Sequence, residues 1–206
     1  MNRMSSVKKK LIIGITGGSG TGKSSVLKSF SDSGALIIDG DKVSREITKP
    51  ASPALLEIYS HFGDGILSED GTLDRKKLGN IVFKDKDELS ILNKITHKYI
   101  KEDILRKIDN AKNPLIIIEA AELILGGLGE ICDATVCILS KKDKRKERII
   151  LRDDLTEEQA ENRINSQKSD EYYIENCDFC VYNDDSLADA ISSLKKIIDD
   201  IGDRYV

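Results

Sequence analysis

The most informative segment of the sequence is Gly17-Gly18-Ser19-Gly20-Thr21-Gly22-Lys23-Ser24. It follows the apolar run Leu11–Ile15 and opens a segment with helical spacing from Ser24 onward. Glycines permit positive φ and close backbone approach, so consecutive N–H groups can point into one anion-sized hollow, where the helix dipole adds positive charge. Lysine can reach phosphate oxygens, and the serine hydroxyl can coordinate Mg²⁺. The pattern therefore predicts a loop that binds nucleotide phosphates, the alternative being a glycine-rich turn without a ligand.

Other apolar runs extend this strand–loop–helix unit into a fold. Each is rich in Ile, Val or Leu rather than alternating with polar residues, which is typical of parallel strands covered on both faces. The predicted strands are Leu11–Ile15, Ala35–Ile38, Leu115–Ile118, Ala134–Leu139 and Asp178–Tyr182. Segments with helical spacing lie between them, including residues 87–109 and a last helix after Ser186, which is predicted to be its N-cap. We predict an α/β fold with a doubly wound five-stranded parallel sheet.

The spacing of the strands also predicts how the chain is divided. A length of 206 residues suits one domain. Its core would comprise residues 11–44, 113–140 and 176–206. More than seventy residues between the second and third strands read as helical or loop-like, so residues 45–112 are expected to form an inserted helical lobe. The polar, charged segment 141–175 is expected to form a mobile helical flap.

Composition excludes several classes of protein. Lys and Arg number 32 against 36 Asp and Glu, a net charge of −4 that disfavours a globally basic nucleic-acid binder. The longest apolar stretch, Leu115–Leu125, is far shorter than the ~20 residues of a membrane span. The segment Met1–Lys10 imitates the start of a signal peptide, but no cleavage site follows it. Together with four cysteines, expected to be free thiols, these features predict a cytoplasmic protein.

Acidic residues stand at two predicted strand ends. Asp39 and Asp41 follow the second strand, and residues i and i+2 of an extended chain point the same way, into the crevice where ligands of open sheets bind. One carboxylate could accept a proton from an alcohol and the other could hold a metal's water shell, unless both belong to a solvated turn. Glu119 ends the third strand and could meet Mg²⁺ through water or cap a following helix.

The guanine-binding pattern of GTPases is poorly matched, because Asn93-Lys94 is followed by Ile95-Thr96 inside a helical stripe. A small-molecule kinase is therefore favoured over a GTPase.

Basic residues and cysteines leave further alternatives open. The lysines of the run Lys141–Arg148 are expected on a solvated helix face, whereas Arg148 and Arg152, one turn apart, are expected to contact phosphate.

The spacing of Cys177 and Cys180, with Cys132 and Cys137 near the preceding strand, would permit a zinc site. Core packing is the favoured interpretation, because Cys137 and Cys180 lie inside apolar strands.

Motifs along nearly the whole chain, about residues 11–200, together resemble the bacterial dephospho-CoA kinase family, whose fold is of the P-loop kinase type. They stand in the expected order. The motifs are Gly14-Ile15-Thr16-Gly17-Gly18 to Ser24, Ile38-Asp39-Gly40-Asp41 with Arg45-Glu46, Ser52-Pro53-Ala54-Leu55, His61-Phe62-Gly63, Gly71-Thr72-Leu73-Asp74-Arg75, Ile81-Val82-Phe83, Ile95-Thr96-His97, Arg148 to Arg152-Asp153 with Arg163 and Gln167, and Tyr182-Asn183. The sequence departs from the family at Lys98, where proline is usual, and at Ala121-Glu122-Leu123 and Leu125.

The resemblance implies transfer of the ATP γ-phosphoryl group to the ribose 3′-hydroxyl of dephospho-CoA, the last step of CoA biosynthesis, with Mg²⁺. It implies that Asp41 is the base, that Lys23, Arg148 and Arg152 contact phosphate, and that Ser24 binds the metal. Residues assigned to the ATP site are Gly18, Ser19, Gly20, Thr21, Gly22, Lys23, Ser24, Ser25 and Asn183; residues assigned to the acceptor side are Asp39, Arg75, His97 and Glu119.

Some alternatives stay open at this stage. Arg75 could instead stabilise the lobe through an ion pair, and His97 could be a half-buried structural histidine. The protein could also be another nucleoside or nucleotide kinase of the same fold, or a nucleotide-binding regulator without turnover. No nucleic-acid or membrane partner is expected, and the sequence leaves monomer and small homo-oligomer open.

Overall fold

A computed structural model describes residues 10–204. The signal-like segment Met1–Lys10 falls, apart from Lys10, on residues outside this range. The strands are β1 Leu11–Thr16, β2 Leu36–Asp39, β3 Leu115–Glu119, β4 Ala134–Leu139 and β5 Phe179–Tyr182. All five predicted strands are thus confirmed to within a residue at each end. Asp178 precedes β5, and its backbone N–H donates to the Thr135 hydroxyl (3.1 Å) while its carboxylate accepts from the Thr135 N–H (2.8 Å).

Helices connect the strands. They are α1 Lys23–Asp32, α2 Gly40–Glu46, α3 Pro53–Phe62, α4 Arg75–Val82, α5 Lys86–Asn110, α6 Lys142–Asp153, α7 Glu157–Asn165, α8 Asp170–Asn176 and α9 Leu187–Arg204, with short 3-10 turns at Asp64–Ile66 and Gly129–Ile131. The helix predicted over residues 87–109 is α5. Ser186 caps α9 as predicted, since its hydroxyl accepts from the Asp189 N–H at 3.1 Å.

The strands form one parallel sheet in the order β2-β3-β1-β4-β5, which confirms the predicted fold class. Ile15 of β1 lies opposite Glu119 of β3 and opposite Val136 of β4. The connection that leaves β1 leads to β2, and the connection that leaves β3 leads to β4, at opposite sides of the sheet. The carboxyl ends of the neighbouring strands β1 and β3 therefore form the topological switch point, where ligands of open α/β sheets bind.

The described chain divides into two compact units, residues 10–37 with 112–204 and Ile38–Ala111. In the first unit the apolar faces of α1 and α9 pack against β1, β3 and β4 around buried residues such as Ile13, Ile15 and Leu194. The second unit is mainly helical, and α3, α4 and α5 enclose a core that includes Ile58, Leu78 and Ile95. Within residues 10–204, every helix is too short or too polar to cross a bilayer.

Candidate active site

The glycine-rich loop has the local structure that its sequence predicts. It joins β1 to α1, and two of its glycines carry the geometry: Gly17 has φ +138° and Gly22, the N-cap of α1, has φ +90°. A Cβ on Gly17 would collide with the Ile138 carbonyl oxygen. Only glycine adopts these positive φ angles without strain and leaves room where a Cβ would collide. The loop can therefore fold back closely over the end of the sheet.

Lys23 is the first residue of α1, and its ammonium turns back over the loop. Its Nζ donates to the carbonyl oxygens of Gly17 (2.7 Å) and Gly18 (3.0 Å). The loop therefore combines a lysine ammonium with the amino end of a helix, the combination that binds phosphate anions.

Two arginines predicted to contact phosphate reach this loop from α6. The Arg148 guanidinium donates to the carbonyls of Gly20 (3.2 Å) and Thr21 (3.3 Å), and also to that of Asn183 (2.9 Å). The Asn183 side chain, almost fully buried, donates to Thr21 at 2.8 Å. The structure thus brings together the loop, Arg148 and Asn183, residues far apart in the sequence.

Arg152 lies one turn further along α6 and is more exposed. Its Nη2 donates to the Ser19 hydroxyl at 3.3 Å. Its Nε and Nη2 also bind the two carboxylate oxygens of Asp153 at 2.9 and 2.8 Å, and Arg163 of α7 binds the same carboxylate. This hydrogen bonding lowers the pKa of Asp153 and raises the pKa of Arg152, so both groups stay charged.

Sequence reasoning missed Arg145, which lies within the basic run of α6. Its side chain is only 5% exposed, and its Nε donates to the Ser19 carbonyl at 3.0 Å. Its other nitrogens bind Gln167 (3.0 Å) and Asp170 (3.3 Å). Gln167, quoted above only as part of the resemblance, accepts from the Ser19 N–H at 2.8 Å. The spacing of Arg145, Arg148 and Arg152 on one helical face was a signal that could have found Arg145.

Glu119 lies at the end of β3 beside β1, and Ala120 donates to Ile15 of β1 at 3.1 Å. One alternative for Glu119 was wrong, because turns follow β3 rather than a helix that it could cap.

A magnesium ion suits the donors at the loop. Ser24 is exposed in the first turn of α1, and hydroxyl oxygen is a ligand type that Mg²⁺ accepts. Within residues 10–204, no three His, Cys, Asp or Glu side chains cluster in a way that could hold a metal. The exposed Ser24 hydroxyl could contribute one ligand to Mg²⁺, and bound phosphate and water would have to supply the others.

The second unit carries Asp39 and Asp41, and here the expected geometry was wrong. Asp39 ends β2 and caps α2, since its carboxylate accepts from the Lys42 N–H at 2.9 Å. Asp41 lies in the first turn of α2, so the alternation of an extended strand does not relate the two side chains. Both are exposed.

Arg75 and His97, also predicted for the acceptor side, lie in the second unit as well, whereas Glu119 lies in the first. Arg75 begins α4, and its Nη2 donates to the buried hydroxyl of Thr48 at 2.7 Å. His97 is half-buried on α5. Their proposed roles toward a substrate stay predictions.

The cysteines lie mostly among apolar side chains. Cys137 is fully buried on β4, opposite Cys180 of β5, with the two sulfur atoms 3.1 Å apart. Tyr173 and Leu139 pack around Cys137, as core packing predicts. A hydrogen bond from Cys137 lowers the pKa of the half-buried Cys177, whereas burial raises the pKa of Cys132 to about 12.

Comparisons with known proteins agree with this geometry. The model of the CoaE family, described as dephospho-CoA kinase, matches residues 11–189. The dephospho-CoA kinase of Corynebacterium glutamicum is 36% identical over 194 residues, which cover 93% of this chain and all of that protein.

Solved structures show the same likeness. Dephospho-CoA kinase from Campylobacter jejuni superposes with a TM-score of 0.65 at 27% identity, covering 95% of this chain and 98% of that one. TT1252 from Thermus thermophilus superposes with a TM-score of 0.78 at 26% identity, covering 94% and 98%.

Proposed function

Because the chain belongs to the dephospho-CoA kinase family, we propose that it transfers the γ-phosphoryl group of ATP to the ribose 3′-hydroxyl of dephospho-CoA. The observation that carries the proposal is the loop itself. Its lysine ammonium is held 2.7 Å from the Gly17 carbonyl, and the Arg148 guanidinium lies 3.2 Å from the Gly20 carbonyl. Two positive charges thus stand where a triphosphate would lie.

In the proposed step, the ribose 3′-oxygen attacks the γ-phosphorus and its proton passes to the Asp41 carboxylate. The bond from the γ-phosphorus to the bridging oxygen breaks, and ADP leaves with the electron pair. Lys23, Arg148 and Arg152 stabilise the negative charge on the transferred group, because phosphoryl transfer depends on positioning and electrostatics. Magnesium held by Ser24 and the nucleotide would neutralise further phosphate charge.

The remaining residues are proposed to position substrates. Gly18–Ser25 and Asn183 would hold ATP, while Asp39, Arg75, His97 and Glu119 would serve the acceptor. We also retain residues 45–112 as the acceptor lobe and residues 141–175 as a lid whose closure excludes water. The free thiols support a reducing compartment, and we propose the cytoplasm.

A coupled assay of ADP release tests the proposal. Purified protein with Mg-ATP is offered dephospho-CoA or a panel of nucleosides, and the product is identified by mass spectrometry. We expect ADP release that depends on dephospho-CoA and one phosphate added at the ribose 3′-position. Faster turnover of a nucleoside would indicate another small-molecule kinase. ATP binding without turnover of any acceptor would indicate a regulator.

A further inference from the structure

A cavity of about 390 Å³ opens beside the phosphate-binding loop, wholly within the first unit. Thr16 and Gly17 border it at the end of β1, and Ala121 and Glu122 border it after β3. It therefore lies at the switch point of the sheet, and its volume falls in the range of small-molecule sites.

The position of the cavity favours the acceptor over the ATP base. Gln167 lines the cavity and also accepts from the Ser19 N–H of the loop, so a molecule in the cavity would lie next to the proposed triphosphate site. Asn183, proposed to hold ATP, follows β5, which lies on the other side of β1 from β3. If the proposed function holds, the neighbour of the loop on the β3 side is the ribose of dephospho-CoA.

Lys168 stands at this cavity with its ammonium 5.2 Å from the centre of the Tyr172 ring. Two lysines of α6 have carboxylate partners, Lys142 with Glu161 and Lys146 with Glu157, both at 2.7 Å. Among the residues that the structure describes, no carboxylate pairs with the exposed Lys168. Its charge is oriented by an aromatic face, which leaves the N–H groups available to an anion.

Tyr172 is itself held in place. Its ring packs edge-on against Tyr173, 5.6 Å between centres, and Tyr173 is only 5% exposed. The Tyr172 hydroxyl is buried and makes no hydrogen bond to any described residue. The ring, rather than the hydroxyl, is thus the part of Tyr172 that acts on Lys168.

We propose that Lys168 binds the 5′-diphosphate of the acceptor and that Tyr172 positions it, an inference that rests on the function proposed above. The diphosphate is attached to the same ribose as the reacting 3′-hydroxyl. A cation bordering the cavity beside the loop is therefore within reach of it, whereas the distant thiol end of the acceptor is not.

Steady-state kinetics with Mg-ATP and dephospho-CoA test this role, with K168A as the variant. We expect the KM for dephospho-CoA to rise about tenfold, as loss of a charge-assisted hydrogen bond of about 1.4 kcal/mol produces. The kcat and the KM for ATP should stay within about twofold of wild type. The KM of wild type should also rise with salt more steeply than that of K168A, because a charge contact is screened. The matched control is K144A, an exposed lysine of α6 that does not line the cavity.

Tyr172 is tested through the ring. Y172L should raise the KM for dephospho-CoA severalfold, and the conservative variant Y172F should restore it, because the ring face remains. An unchanged KM for dephospho-CoA in K168A would overturn the inference, as would an equal rise in the KM for ATP, which would assign Lys168 to the donor. Wild-type protein that does not phosphorylate dephospho-CoA at all would instead refute the proposed function, so the two failures are distinguishable.

Discussion

Replacing Gly22 by alanine tests how the loop is supported by the residues around it. Gly22 has φ +90°, and a Cβ there would fall far inside van der Waals contact with the Asn183 side-chain nitrogen. The left-handed backbone costs alanine about 1–2 kcal/mol. Asn183 must also move, which breaks its 2.8 Å hydrogen bond to Thr21 and adds about 1–3 kcal/mol, because these groups are buried.

Gly34 provides a matched control in the same unit. Its φ is +94°, but no atom lies within 4 Å of the position that a Cβ would take. G34A therefore carries the backbone cost without the collision, and the difference between the two variants isolates the contact with Asn183. In urea unfolding, G22A should lose about 1–3 kcal/mol more than G34A.

A second measurement links this contact to binding. Calorimetric titration with ATP should show weakened binding in G22A and unchanged affinity in G34A. Equal free energies of unfolding for G22A and G34A would refute the packing argument. Full ATP affinity in a destabilised G22A would refute the assignment of this loop to the triphosphate.

The other predictions concern chemistry, burial and thiol reactivity. D41N should keep ATP affinity but lower turnover more than about a hundredfold in the ADP-release assay, because the proposed proton acceptor is lost; wild-type turnover would remove Asp41 as the base. R145M should lower the free energy of unfolding by roughly 3 kcal/mol, or the melting temperature by about 6–12 °C, because it removes a buried charge from its hydrogen-bonded partners. K144M, at an exposed neighbouring position, should unfold like wild type. Equal effects of the two substitutions would contradict the structural role of the buried Arg145 side chain. Iodoacetamide should label Cys177 at a lower pH than an ordinary thiol, because the pKa of Cys177 is lowered. Cys132 should stay unlabelled in the native protein between pH 6 and 9, because its pKa is raised to about 12. Peptide mass spectrometry that shows Cys132 labelled first would contradict both shifts.

The parts of the fold that could be predicted depend on local signals. The loop follows from glycines at fixed spacing, and the strands follow from apolar runs whose residues are buried in the sheet, such as Ile116–Ile118. Both patterns are complete within ten or so residues. The predictions of strand and helix positions were correct for this reason.

Other features depend on partners far along the chain. The spacing of Arg145 from Arg148 and Arg152 indicates only a shared helical face. Its burial depends on a partner far along the chain, the Ser19 carbonyl 126 residues away. Asp41 illustrates a local failure, because the Asp39 carboxylate starts a helix one residue after the strand and changes the direction of the following side chains. Glu119 is followed by turns for which the apolar run Leu123–Leu125 gives little warning.

The hydrogen bond between Gln167 and the Ser19 amide has a consequence for the order of events. A single N–H serves one strong acceptor well, so any phosphate oxygen that takes the Ser19 amide must displace the glutamine. Nucleotide binding would then compete directly with the hydrogen bond between the Ser19 amide and Gln167, which holds the chain just before Lys168. The Gln167 side chain would then keep its 3.0 Å hydrogen bond from Arg145 but lose the one from Ser19, so an occupied loop would loosen the segment that borders the neighbouring cavity.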